Sequence, residues 1–355
     1  MSCSIFNFNK KTNKESEVKY MGSKNKTSFP EFIRLCKLSA KQLKNDLLLS
    51  MYEYYDSSKI IAGDGFIYVK GDIPILLTAH MDTVHKELIK DFYEDKKNGK
   101  HILSSPQGIG GDDRCGIYMI TQILKTSSLR PYILFCEDEE IGGIGSGKFC
   151  KTEYAEEVEF LGLKYMIELD RANAYDAVYY DCGNEEFQKY IENTTGYSKA
   201  HGSFSDICNL SEISDIASVN LSCGYYNAHT TAEYVVVEEM LNTMQTVKDL
   251  LTMCTEDLVQ FDYQCYTDKF MSKYGYYGYG YGYGYGYGYD DYKYNTTAKK
   301  VDRPITTYYI SAMINGIDDI LYAEGDTIAE AWWNLFKSYP NVCYNDIIDF
   351  DVICD

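Results

Sequence analysis

The sequence predicts an α/β fold: a mixed, mostly parallel central sheet flanked by helices, followed by a small C-terminal α+β module. Three observations carry that expectation. Short apolar runs of strand length recur from residue 59 onward, separated by polar or Gly-rich turns. Stretches with apolar residues at helical spacing alternate with them. The residues able to do chemistry fall at the ends of those apolar runs, where an α/β sheet gathers its functional side chains.

In chain order, residues 1–27 are polar and modestly basic and read as a flexible tail. A helix is expected from Pro30 to Tyr55, with Ser28 as its N-cap and Leu35, Leu38, Leu43, Leu47, Leu48 and Met51 at helical spacing. Strands are expected at Lys59–Ala62, Phe66–Lys70, Ile75–Ala79, Tyr132–Cys136, Tyr165–Leu169, Val178–Tyr180 and Ala217–Leu221. Further helices are expected at Arg114–Lys125 and Val235–Met253. Together these fill a catalytic domain over residues 28–270. Residues 271–299 hold a tract of alternating Tyr and Gly that cannot build a packed core and reads as a disordered linker. A linker without a specific ligand is the plain reading, and self-association through tyrosine stacking is the sharper one. Residues 300–355 regain a globular pattern, two strands, a helix at Thr327–Ser338 and a last strand, and form a β-β-α-β module.

Composition narrows the function. Among 355 residues, 34 basic against 53 acidic side chains leave a net charge of −19. Phosphate neutralisation needs surplus Lys and Arg, so neither nucleic acid nor an anionic membrane is the expected partner. The first residues lack an apolar signal core, and no run approaches the length of a membrane span. The 12 cysteines form neither a compact framework nor a CxxC pair, so free thiols in a reducing cytoplasm are expected.

Five segments between His80 and His229 carry the chemistry. They are LLTAHMDTVH, with His80 and Asp82; GIGGDDRCG, with Asp112 and Asp113; FCEDEEIGGIGS, with Glu139 and Glu140; MIELDR, with Asp170; and YYNAHTTAEY, with His229. Each alone has an ordinary explanation. His80 could be a loop histidine, Asp112 a helix cap, and the acidic run a solvated turn. Together they place two imidazoles and several carboxylates at strand ends of one sheet. That much negative charge beside buried strands is costly unless cations neutralise it. A mixed N/O donor set suits zinc, cobalt or manganese better than magnesium or calcium.

The order HxD, GGDDxxG, DEEIG, acidic residue, His resembles that of the co-catalytic zinc peptidases. HMDTV and DEEIGGIGS look most like the peptidase T, aminoacylase and glutamate carboxypeptidase group. DDRCG and AHTTAEY look more like the single-chain zinc aminopeptidases. The resemblance covers about residues 60–255. It implies a zinc exopeptidase-like fold and two divalent metal ions, zinc foremost with cobalt or manganese as alternatives. It implies that His80 and Asp170 bind one ion, Glu140 and His229 the other, and that Asp112 bridges them. Asp82 would orient His80, and Glu139 would be the general base that deprotonates the metal-activated water.

One departure is informative. The peptidase T and aminoacylase group carries a lid and dimerisation domain between its Asp170-type and His229-type ligands, whereas only 58 residues intervene here. The simpler aminopeptidase-like domain is the better match. His201, in KAHGSFSDI, is then the candidate to replace the lid's oxyanion-binding histidine, with a surface histidine as the plain reading. His85 and His101 lie in charged stretches and read as solvent-facing. The expected activity is hydrolysis of an amide or peptide bond, with a peptide or acylated amino acid as substrate. The alternatives are an N-acyl amino acid deacylase, a catalytically inactive metal-binding or interaction protein, and an assembly protein organised by the Tyr/Gly tract.

Overall fold

The protein is described by a computed structural model that covers residues 22–264, Ser338 and Tyr339, and the backbone of three strands near the C-terminus. The tract at 271–299, most of the N-terminal tail, and all but the last residue of the helix expected at Thr327–Ser338 lie outside the described residues. The three strands, Thr306–Ile314, Ile317–Gly325 and Ile347–Ile353, pair antiparallel with the first in the middle. They fall where the sequence places the strands of the C-terminal module.

An eight-stranded sheet dominates the rest. In spatial order its strands are Ser198–Ala200, Asp176–Val178, Ser218–Ser222, Tyr165–Arg171, Ile73–His80, Pro131–Cys136, Phe66–Val69 and Ile60–Gly63. The four central strands, from Ser218–Ser222 to Pro131–Cys136, run parallel to one another. Beyond them Phe66–Val69 is antiparallel to Pro131–Cys136, and Ile60–Gly63 is antiparallel to Phe66–Val69, so the sheet is mixed as expected. Parallel strands are covered on both faces, which is why these segments read as near-continuous apolar runs. Residues alternate between two packing layers. Leu77, Ile133, Ile167 and Val219 face a layer that includes Leu43, Ile117, Ile120 and Val247 from three helices. Leu76, Leu134 and Met166 face the other layer, with Phe149, Phe160, Ile207 and Leu210.

The long N-terminal helix is a correction. Two helices form instead, Pro30–Cys36 and Ala40–Tyr54. Ser39 ends the first run and caps the second in a reciprocal capping box with Gln42. Ser28 is not a cap: its backbone N–H donates to Glu94 Oε2 at 2.8 Å. Ser23–Lys24, assigned to the tail from sequence, pair with Tyr93–Glu94.

That pairing belongs to a second, antiparallel sheet of five short strands that the sequence reading did not anticipate. Its hairpin, Tyr93–Lys97 and Lys100–Ser104, turns at Asn98-Gly99 with φ of 53° and 81°. Asn-Gly with both residues at positive φ is a strong two-residue hairpin signal, so this element was legible. The sheet matters because Tyr234–Val236 pairs with both Lys100–Ser104 and Tyr225–Tyr226. The loop carrying His229 is closed by that pairing, and Tyr226 stacks on Tyr234 at 5.1 Å between ring centroids.

Candidate metal centre

Parallel strands bring their carboxyl ends to one edge, and the site is built there. His80 is the last residue of Ile73–His80 and lies level with Cys136 on the neighbouring strand. The Glu137–Glu140 run follows Cys136 directly. Asp170 lies near the end of Tyr165–Arg171, the strand on the other side of Ile73–His80. Asp112 sits in the Gly-rich entry to the helix Gly111–Thr126, where it and Asp113 depart from helical φ/ψ; regular helix starts at Arg114. The sequence expectation of a start at Arg114 fits that detail.

These segments converge on Asp112. Its Oδ1 lies 2.9 Å from His80 Nε2, and its Oδ2 lies 3.1 Å from His229 Nε2. Asp170 Oδ1 is 3.4 Å from the same His80 nitrogen, and Glu140 Oε2 is 3.0 Å from the same His229 nitrogen. The carboxylate of Asp112 therefore stands between two separate imidazole–carboxylate pairs. His80, Asp112 and Glu140 have ligand atoms close enough to share one ion, as do His80, Asp113 and Asp170. The oxygens of Asp113, however, are engaged by backbone: Oδ2 accepts from His80 N at 3.1 Å and Oδ1 from Gly116 N at 2.9 Å. Asp112, not Asp113, faces the imidazoles.

Supporting contacts hold these groups. Asp82 lies 3.3 Å from His80 Nδ1, and its two oxygens accept from the backbone N–H of Glu139 and of Glu140, each at 3.1 Å. It thus ties the His80 strand to the acidic loop as well as facing the imidazole. Ser205 Oγ donates to Asp170 Oδ2 at 3.1 Å, and Tyr225 OH donates to the backbone oxygen of Asp170 at 2.8 Å. His229 has a left-handed φ of 64°, and Asp138, next to Glu139, has 62°. Non-glycine residues rarely adopt that conformation, and such strain clusters at functional sites.

The charges are strongly perturbed. Burial and the Asp112 carboxylate push Glu140 up to about 7. Burial, again with Asp112, lifts Asp170 to about 6. Burial is also the main cause of the rise at Glu139, well above the ordinary carboxyl value, with Asp170, Glu140 and Asp206 adding to it. For Asp112, burial is outweighed by His229 and His80, which hold it well below the usual range. Burial would lower His229, but hydrogen bonds to Asp112 and Glu140 raise it to about 11. The cluster is a concentration of buried negative charge that a cation would relieve.

All seven residues singled out from sequence (His80, Asp82, Asp112, Glu139, Glu140, Asp170 and His229) thus belong to segments meeting at this edge. Two other histidines correct the sequence reading. His85 is not solvent-facing: its side chain is 10% exposed and its Nε2 meets Glu233 Oε2 at 2.7 Å. His101 is part-buried, with Nδ1 2.6 Å from Glu238 Oε1 and its ring against the edge of Phe29. In both cases a carboxylate distant in sequence draws the imidazole inward. His201 is exposed. Sequence reasoning missed Glu233, Ser205 and Tyr225. All three lie in segments already singled out, Tyr225 and Glu233 in YYNAHTTAEY and Ser205 in KAHGSFSDI, but nothing local marks their contacts.

No family model and no curated relative matches the chain. Among solved structures, the chain is similar to a TET aminopeptidase from a marine-sediment Thaumarchaeota archaeon. Identity is 12%, coverage is 64% of this chain and 98% of that one, and the TM-score is 0.50. That likeness shows the fold. The chain is also similar to the aminopeptidase PepT from Bacillus cereus, at 15% identity over 62% of this chain and 96% of that one, with a TM-score of 0.49. A Staphylococcus aureus tripeptidase gives 13% identity, 64% and 97% coverage, and a TM-score of 0.49. The mixed, mostly parallel α/β architecture expected from the sequence is present in the strand order and pairing of the central sheet.

Proposed function

We propose that the protein is a metal-dependent hydrolase of peptide or amide bonds that acts as an exopeptidase, most simply an aminopeptidase. The observation that carries this reading is the division of the Asp112 carboxylate, 2.9 Å from His80 on one side and 3.1 Å from His229 on the other. A carboxylate so placed suits a bridge between two ions.

The residues fit such a pair. Two imidazoles with three carboxylates form the mixed donor set favoured by zinc, with cobalt or manganese as substitutes. Among the described residues, Glu140 Oε1 is buried without a hydrogen-bond partner, as an oxygen reserved for a cation would be. His80 and Asp170 would hold one ion, Glu140 and His229 the other, and Asp112 both. When bound, the ions supply Lewis acidity, polarising the scissile carbonyl and acidifying water.

The protein's own groups do the rest. Asp82 orients the His80 imidazole and fixes the backbone of the loop that carries Glu139 and Glu140. Glu139 is the general base. It lies beside Glu140 in the loop whose backbone Asp82 holds, placed to take a proton from water and return it to the leaving amine. The fold shared with the archaeal TET aminopeptidase supports a peptide substrate with a free amino end. The eight cysteines of the described residues are free thiols, which fits a cytoplasmic setting. Among the described residues no helix is long and apolar enough to cross a membrane.

The test is hydrolysis of a panel of aminoacyl amides, dipeptides and N-acyl amino acids by the full chain. It is run before chelation, after chelation and after zinc, cobalt or manganese is restored. Metal-rescued release of amino-terminal residues is expected. Chelator-insensitive hydrolysis, or none with any metal, would count against the proposal, and rescue confined to N-acyl amino acids would move the assignment to a deacylase.

A further inference from the structure

The two segments that deliver the imidazoles each carry a second residue, and these second residues meet each other. His80 is followed five positions later by His85, and His229 four positions later by Glu233. His85 Nε2 lies 2.7 Å from Glu233 Oε2. The same Glu233 oxygen accepts from Gly110 N at 2.8 Å, while its other oxygen accepts from Asp112 N at 3.0 Å. Glu233 is fully buried.

Three N–H groups thus converge on one carboxylate. Both Glu233 oxygens accept backbone N–H groups, and the His85 tautomer that carries its proton on Nε2 supplies the third donor. The charge is met by this imidazole and by the peptide dipoles of the Gly110–Asp112 turn. The glycines of GIGGDD make room for the arrangement. A Cβ on Gly108 would fall 2.0 Å from the His85 ring, and one on Gly111 would fall 3.2 Å from Glu233 Oε1 and 2.8 Å from Val235. Gly110 adopts φ of 67°, which turns its N–H and that of Asp112 toward the same acceptor.

We propose that the pair formed by His85 and the buried Glu233 is a positioning device for Asp112, locking together the His80 side and the His229 side of the centre and thereby setting the affinity for both ions. Glu233 reaches the bridging residue through its backbone and belongs to the His229 segment. His85 belongs to the His80 segment. A shift of either segment is therefore transmitted to Asp112. The inference rests on reading the cluster as a two-ion centre. Residues that support metal ligands from behind commonly change metal affinity by about 10–100-fold when altered.

Glu233→Gln tests the device directly. The amide keeps the size but offers one acceptor oxygen, so its NH2 must face the N–H of either Asp112 or Gly110. The full chain, stripped by chelation, is titrated with zinc against a chromophoric chelator, and zinc per chain is counted. Two ions are expected for the unaltered protein, with both affinities about 10–100-fold weaker in Glu233→Gln while the stripped variant keeps its circular dichroism. Wild-type affinity for both ions in a folded Glu233→Gln protein would overturn the proposal.

Should Glu233→Gln fail to fold, His85→Leu decides, because it leaves the backbone bonds to Glu233 in place. Weakening of both ions by about 10-fold is expected there, at the lower end of the usual range, and an unchanged pair of affinities refutes the device. His85→Gln, which can still donate to Glu233, should recover most of the loss; a Gln variant as weak as the Leu variant would contradict the role given to that hydrogen bond. Failure of the unaltered protein to bind two ions would be a different result, ending the two-ion reading itself and this inference with it.

Discussion

Replacing Asp82 should loosen both halves of the acidic side of the centre, and the size of the effect can be worked from its contacts. Its carboxylate accepts from Glu139 N and Glu140 N at 3.1 Å each, and it stands 3.3 Å from His80 Nδ1. A hydrogen bond to a charged acceptor contributes about 1.5–3 kcal/mol, so deleting two removes about 3–6 kcal/mol. The loop is part-buried, and water can replace some of the loss, which places Asp82→Ala in the lower half of that range. Asp82→Asn keeps one acceptor oxygen and turns an NH2 toward the second N–H, so it should lose about half as much. The assay is urea unfolding of the chelated protein at neutral pH, where bound ions contribute nothing. Against burial, which opposes it, His80 and the two backbone N–H groups hold the Asp82 pKa below its ordinary value. Its contribution is therefore present above the unfolded carboxyl value and is lost as pH falls through the lower folded value. Stability of Asp82→Ala within about 0.5 kcal/mol of the unaltered protein, the range of inert surface changes, would refute the reasoning.

Other expectations follow from the same geometry. Glu139→Gln should keep both ions by elemental analysis yet lose about 10²–10⁴-fold in turnover, the usual worth of a general base; a fully active variant would remove Glu139 from that role. Metal binding to the chelated protein should release protons at neutral pH, because burial and Asp112 raise Glu140 to about 7, hydrogen bonds to Asp112 and Glu140 raise His229 to about 11, and a metal ligand must be deprotonated. Apparent affinity should therefore rise with pH through that range, and pH-independent binding without proton release in a weakly buffered titration would contradict the expectation. Gly116→Ala should destabilise the protein by about 1–3 kcal/mol in thermal melts, the usual cost of overpacking. Its Cβ would fall 2.1 Å from the Leu169 carbonyl oxygen, beside Asp170, and backbone there has no free rotamer to yield.

The sheet was legible because its strands are covered on both faces. Buried parallel strands such as Leu76–Ala79 and Ile133–Cys136 leave uninterrupted apolar runs, and strand ends then locate the candidate site residues. The N-terminal helix was misread because Leu35, Leu38 and Leu43 keep helical spacing across a break. The break is made by Ser39, whose capping box with Gln42 starts a new helix. The five-stranded sheet was missed because its strands are short and mostly half-exposed, so they show neither an apolar run nor a clean alternation. Asn98-Gly99 was the one local mark of its hairpin. His85 and His101 were misplaced for a different reason: charged neighbours in sequence imply solvent, but Glu233 and Glu238 arrive from 148 and 137 residues away. Pairings of that kind are set by topology and leave no local trace. The glycines of GIGGDDRCG make room for His85, Tyr225 and Glu233, which come from distant parts of the chain.

The claim on which the rest depends is that Asp112 stands between two cations. Anomalous diffraction from zinc-loaded crystals, collected on either side of the zinc edge, addresses it most directly. Two peaks flanking the Asp112 carboxylate are expected, one beside His80 and Asp170 and one beside Glu140 and His229. Peaks elsewhere, or none at the Asp112 carboxylate in crystals of zinc-loaded protein, would contradict the account.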